Sequence, residues 1–112
     1  MKIAIPTANG LLNAHFGHCL AFALLDVDTA TSKILSHTEV PAPHHEPGVL
    51  PRFLAQQGVN LIIAGGMGMQ AQNLFAANKI EVIVGAPCLS PKELANAYLA
   101  GTLVSGTNVC DH

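Results

Sequence analysis

The chain has 112 residues, half of them apolar and only 11% charged, with a formal charge of −2 when its histidines are neutral. That size and composition fit one domain over residues 1–112 with its own core, and they exclude intrinsic disorder. Five lysines and arginines are too few to build the basic face that a nucleic-acid backbone requires.

The opening "MKIAIPTANG" holds a short apolar run, Lys2 to Pro6, that reads as a buried strand closed by Pro6. It breaks before a signal-peptide core develops. No apolar run approaches the ~18 residues of a membrane helix. Three widely spaced cysteines, Cys19, Cys88 and Cys110, make no disulfide framework and fit a reducing compartment. A soluble, cytoplasmic protein is therefore expected.

After a loop over residues 7–19, "LAFALLDVD" is a second strand and "KILSHTEV" a third, joined by the turn "TATS". "PAPHHEPG" is a proline-rich loop. "VLPRFLAQQG" then sets Val49, Leu50, Phe53 and Leu54 on one helical face and stops at Gly58, a C-cap. "VNLIIAGG" is a strand, "MGMQAQNLFAANK" a helix and "IEVIVG" a strand. "SPKELANAYLAG" carries Ser90 as N-cap, Pro91 at the first position, Glu93 as the capping-box partner and Gly101 as terminator. The tail "TLVSGTNVCDH" is not helical and has room for a short strand.

A meander followed by βαβ units predicts an α/β fold with one mixed, five-stranded sheet. Its expected order is 3-2-1-4-5, with strand two antiparallel to its neighbours. That topology sends the 7–19 loop, the "PHHEPG" loop, "GGMGM" and "GAPC" to one edge, where open α/β sheets bind ligands. Ten residues of extended tail span roughly 33 Å, enough to bring Cys110 and His112 to that edge or to leave them free. Asp26 and Asp28 fall at the opposite end.

His15, His18 and Cys19 in "NAHFGHC" offer imidazole and thiolate, which suit zinc, copper or iron. Their spacing is no recognised zinc signature. His44 and His45 join them by topology. In "GGMGM", Gly65, Gly66 and Gly68 lack the spacing of a dinucleotide or Walker loop. They still permit close backbone approach, ahead of a helix start that offers N–H groups to an anion. Met67 and Met69 are core residues or soft, polarizable walls, and at least one is expected to face a ligand. No nucleophile elbow and no carboxylate pair lies on this edge, so no enzymatic role and no catalytic residue is expected.

With these residues in place, the sequence resembles the dinitrogenase iron–molybdenum cofactor biosynthesis family, the NifX and NifB-C-terminal-like proteins. The likeness rests on "MKIAIPT" before "NAHFGHC", on "HHEPGVLPRFLAQQGV", on "IIAGGMGMQAQNLF" and on the closing "CDH". It implies a ribonuclease H-like three-layer fold with helices on both faces, and a carrier or scaffold of metal–sulfur clusters. The nearest likeness is to members holding a molybdenum–copper sulfide cluster. On that likeness Phe16, Met67 and Met69 form an apolar wall, and Gly17 belongs to the same loop. Glycine-loop N–H groups and His15, His18, His44 and His45 are the donors. The competing readings are direct copper, zinc or iron binding through Cys19, Cys110 and His112 with the histidines, and a cofactor-free module for a ParA/MinD-type ATPase. No nucleic acid and no membrane is an expected partner.

Overall fold

The two apolar runs nearest the start of the chain pair with each other. Strand β1 (Lys2–Ala8) is antiparallel to a later strand over Ala21–Asp28, with Lys2 facing Asp26 and Thr7 facing Ala21. Both are buried through their middles, which is why neither sequence alternates: a strand covered on both faces is a continuous apolar run. The computed structural model describes residues 1–8, 11–12, 21–41 and 49–103.

In chain order the elements are β1, β2 (Leu11–Leu12), β3 (Ala21–Asp28), β4 (Lys33–Pro41), α1 (Val49–Gln56), β5 (Leu61–Ile63), α2 (Met69–Ala77), β6 (Glu81–Ile83) and α3 (Pro91–Ala100). The sheet runs β4-β3-β1-β5-β6. β3 is antiparallel to β1 and β4, whereas β5 is parallel to β1 and β6 parallel to β5. This is the strand order expected from the sequence.

One boundary is corrected. β1 does not end at Pro6, and residues 7–19 are not all loop, because Thr7 and Ala8 pair with Leu12 and Leu11 of β2. The reason lies in the alternation of the ladder. Val27 N–H donates to Met1 O at 2.9 Å and the Met1 amino group donates to Val27 O at 3.2 Å. Odd residues of β1 therefore bond toward β3 and even ones toward the opposite side. Pro6 is even, so its missing N–H leaves the β1–β3 ladder intact. The residues between Ala8 and Leu11 are Asn-Gly in the sequence, the dipeptide that most often marks a two-residue hairpin connection.

Period-two alternation divides the core between two faces. Ala4, Phe22, Leu24 and Ile62 meet Leu50 and Leu54 of α1 and Phe75 of α2. Ile3, Ile5, Leu25 and Ile63 meet Leu94 and Ala95 of α3. The result is three layers, with α1 and α2 on one side of the sheet and α3 on the other. Phe22, Phe75 and Leu94 are fully enclosed, each contributing roughly 1.5–3 kcal/mol of burial free energy.

Helix α1 ends before Gly58, whose φ of 82° is the left-handed value that glycine adopts freely. At the β3–β4 turn, the Asp28 carboxylate accepts from Ala30 N–H at 2.9 Å and Thr31 N–H at 3.4 Å. Those bonds, Ala30's first, hold it below the ordinary carboxylate range. Among the described residues, no helix is long and apolar enough to cross a membrane.

Candidate functional site

On the side of β1 that faces β5, the strand changes partner along its length. β5 pairs with β1 only at Ile3 and Ala4, and β2 takes over at Thr7 and Ala8. Pro6 lies between, its hydrogen-free nitrogen on that same side of the ladder. Here β1 has the meander on one side and the βαβ units on the other, which is a topological switch point.

Three described segments meet at this rim. The turn after β5 and the connection after β6 are bonded together: Ala64 N–H to Ile83 O at 2.8 Å, Gly85 N–H to Gly65 O at 2.7 Å, and Ala86 N–H to Ala64 O at 3.1 Å. β2 is tied to the second of these by Leu12 N–H to Leu89 O at 3.0 Å. At the same end of the sheet, Thr7 pairs with Ala21 and Ala21 with Pro41. The chain therefore enters residues 42–48 from this rim and returns from residues 13–20 to it.

Of the residues expected to form the site, Gly65, Gly66, Met67, Gly68 and Met69 are described, and they divide. Gly65 and Gly66 are buried, with Gly66 in an isolated β-bridge. Met67 is 1% exposed and belongs to the core with Phe22 and Phe75. Its carbonyl accepts from the Gln72 side-chain amide at 2.8 Å. Met69 is 57% exposed. It lines an open groove of about 510 Å³ between α2 and β6, with Gln72, Asn73 and Val82. His15, Phe16, Gly17, His18, Cys19, His44, His45, Cys110 and His112 lie outside the described residues.

Helix α2 starts with little help from side chains. Its N-cap is Gly68, extended at φ −66° and ψ 156°, with no side-chain cap bond and no acidic residue in the first turn. The first-turn N–H groups of Met69, Gln70 and Ala71 have no acceptor among the described residues. Unsatisfied N–H groups and the positive end of the helix dipole together favour a negative ligand.

Sequence reading left one residue of this rim out of the site. Cys88 is exposed, a free thiol between Ala86 and the Ser90 cap. The signal was its place in a strand–loop–helix repeat: it follows β6 as the glycine turn follows β5. Among the described residues, no group of three or more His, Cys, Asp or Glu could hold a metal ion.

The family model described as dinitrogenase iron-molybdenum cofactor matches residues 1–101. The chain belongs to this family. It is 31% identical over 106 residues to MJ0580, an uncharacterized protein of Methanocaldococcus jannaschii, covering 92% of this chain and 89% of that one. Among solved structures, PH0822 matches with a TM-score of 0.85 at 25% identity over 94% of both chains. The apo form of the orange protein from Desulfovibrio gigas matches with a TM-score of 0.72 at 23% identity, over 96% of this chain and 93% of that one. At that identity the second likeness speaks for the fold. The family match ends just past α3, so it includes the glycine turn and Cys88 but not Cys110 or His112.

Proposed function

We propose that this member of the dinitrogenase iron–molybdenum cofactor family is a non-enzymatic carrier, holding a metal–sulfur cluster in a cleft at the carboxyl ends of the strands. The cargo proposed is a molybdenum–copper sulfide cluster. One observation supports this above the others: a helix start at the switch point whose N–H groups lack side-chain acceptors and whose first turn lacks a carboxylate. The connections of residues 64–68 and 84–90 contain no acidic residue either. A multiply charged anion would meet no fixed negative charge from them.

A sulfide-bridged cluster satisfies its own metals, so the protein need supply only donors for negative charge and a polarizable wall. In this reading the backbone of Gly65, Gly66 and Gly68 and the imidazoles of His15, His18, His44 and His45 are the donors. Phe16 and Met69 form the wall, with Gly17 in the same loop as Phe16, and Met67 holds the glycine turn from beneath. Cys19, Cys110 and His112 act as ligands only if the metal is bound directly. The cytoplasm is the proposed location, and a ParA/MinD-type ATPase the proposed partner, on family habit alone.

Reconstitution tests the reading. The protein is treated separately with tetrathiomolybdate plus copper and with plain copper, zinc or iron, then desalted and analysed for metals and visible absorption. Molybdenum and copper retained together, with the absorption unchanged by Cys19→Ser and Cys110→Ser, is the expected outcome. Retention of a plain ion that is lost with those substitutions means direct ligation. No metal kept under either regime means the carrier reading is wrong.

A further inference from the structure

β4 spans nine residues, Lys33–Pro41, and forms one edge of the sheet. Apart from half-buried Ile34 and Val40, all its side chains are exposed. A long open edge invites pairing with another strand, and sheets normally blunt it. Two devices do so here, one at each end. The register with β3 slips between Asp26 and Val27, leaving Leu35 without an opposite residue and 66% exposed; such bulges bend an edge away. Pro41 at the other end offers no N–H.

Between them, Ser36–Val40 is a regular strand with no strand of the described residues on its outer side. Odd residues of β3 bond to β1, so Phe22, Leu24 and Asp26 bond to β4. Their partners are Val40, Thr38 and Ser36. The backbone N–H and C=O of His37 and Glu39 therefore point outward and have no partner among the described residues.

We propose that β4 pairs with β4 of a second copy of this chain, antiparallel about a two-fold axis at Thr38. This register sets each His37 opposite Glu39 of the second copy, and each such pair exchanges two backbone bonds. It also joins unlike side chains: the imidazole N–H of His37 donates to the Glu39 carboxylate whether or not the ring is charged. Thr38 faces its own counterpart, a favourable cross-strand pair.

Neighbouring registers fail. An axis at His37 opposes two imidazoles. An axis at Glu39 opposes two carboxylates and matches His37 to Pro41, which has no donor. An axis at Ser36 runs into the bulge. Odd slips set outward groups against inward ones.

Helix α3 adds to the match. His37 and Glu39 pair with Leu25 and Ala23, whose side chains lie on the α3 face. Lys92 and Asn96 of α3 line one open cavity of about 370 Å³ with His37 and Ile34. The incoming carboxylate thus approaches an ammonium as well as an imidazole. One strand pair is a smaller contact than the ~1,200 Å² or more of stable complexes. The dimer is therefore reversible and weakened by salt. It also leaves the rim at Pro41 open.

Sedimentation equilibrium from micromolar to millimolar protein at low salt tests this. The weight-average mass is expected to rise from 11.6 kDa toward twice that value. Glu39→Lys should weaken the dimer by roughly tenfold or more, and His37→Glu combined with Glu39→Lys should restore it. These side chains are exposed, so the monomer fold is not at stake. Thr38→Cys reads the register directly: facing residues of a non-hydrogen-bonded pair lie about 4.5 Å apart at Cα, within disulfide range. Mild oxidation should link two chains through position 38, as located by peptide mapping. A monomer mass at every concentration overturns the proposal. So does a dimer indifferent to Glu39→Lys, or one whose disulfide never forms at position 38.

Discussion

Helices α2 and α3 start at the same rim, one strand apart, and their first turns are built on different plans. α3 is closed from within. Ser90 Oγ accepts from Glu93 N–H at 3.3 Å and donates to Glu93 Oε1 at 3.1 Å, and Pro91 fills the first position without an N–H to satisfy. α2 begins on a glycine with no cap bond and no acid in its first turn. Glu93 meets the positive end of the α3 dipole, whereas nothing described meets that of α2. Two equivalent positions in one repeat have thus been given different work. The start of α3 is closed by its own side chains, and the start of α2 is where the proposed function puts the anion.

The largest expected effect tests what holds the open start in place. Met67 lies in the core just ahead of α2, while Met69, two residues on, is exposed. Met67→Ala should lower unfolding free energy by about 2–5 kcal/mol, and Met69→Ala by no more than ~0.5 kcal/mol, both read from denaturant titration. Similar losses at the two sites would mean that packing does not separate them. Next in size is the closed start. Ser90→Ala removes the α3 cap and should cost about 1 kcal/mol, with cluster retention after reconstitution unchanged. If retention falls in step with stability, the two starts are not independent.

How much of this was legible beforehand follows from how local each signal is. Gly58 and the Ser90–Pro91–Glu93 cap were readable because a turn is specified by the residues that make it. The strand order followed from alternating strand and helix patterns with a fixed crossover hand. β2 was missed even though Asn9-Gly10 announces a hairpin, because Pro6 reads as a stop until the alternation of the ladder shows its nitrogen on the other side. The near-complete exposure of β4 was not legible, since an edge strand and a half-buried one share the same period.

Within the site, the sequence marked the glycine turn but could not separate Met67 from Met69. Met67 sits on the irregular segment between β5 and α2 whereas Met69 is the first residue of α2, so no single helical or strand period assigns both a face. Cys88 was passed over because nothing beside it resembles a ligand motif.

A substitution that should stabilise the fold carries the sharpest test of the comparison. A Cβ built at Gly68 meets nothing within 4 Å, and φ of −66° is ordinary for any residue, so Gly68→Asp is sterically free. Aspartate is a better N-cap than glycine by a few tenths of a kcal/mol, and losing a glycine restricts the unfolded chain by about 0.4–1 kcal/mol more. The fold should therefore gain roughly 1 kcal/mol. Cluster retention should fall, because the new carboxylate accepts from the N–H groups an anion would use and adds negative charge beside them. Gly68→Asn separates these two causes: it caps without charge, so its retention should lie between that of Gly68→Asp and that of the parent chain. A protein that becomes more stable and keeps its cluster under both substitutions would place the anion away from α2, and the difference between the two helix starts would then concern folding alone.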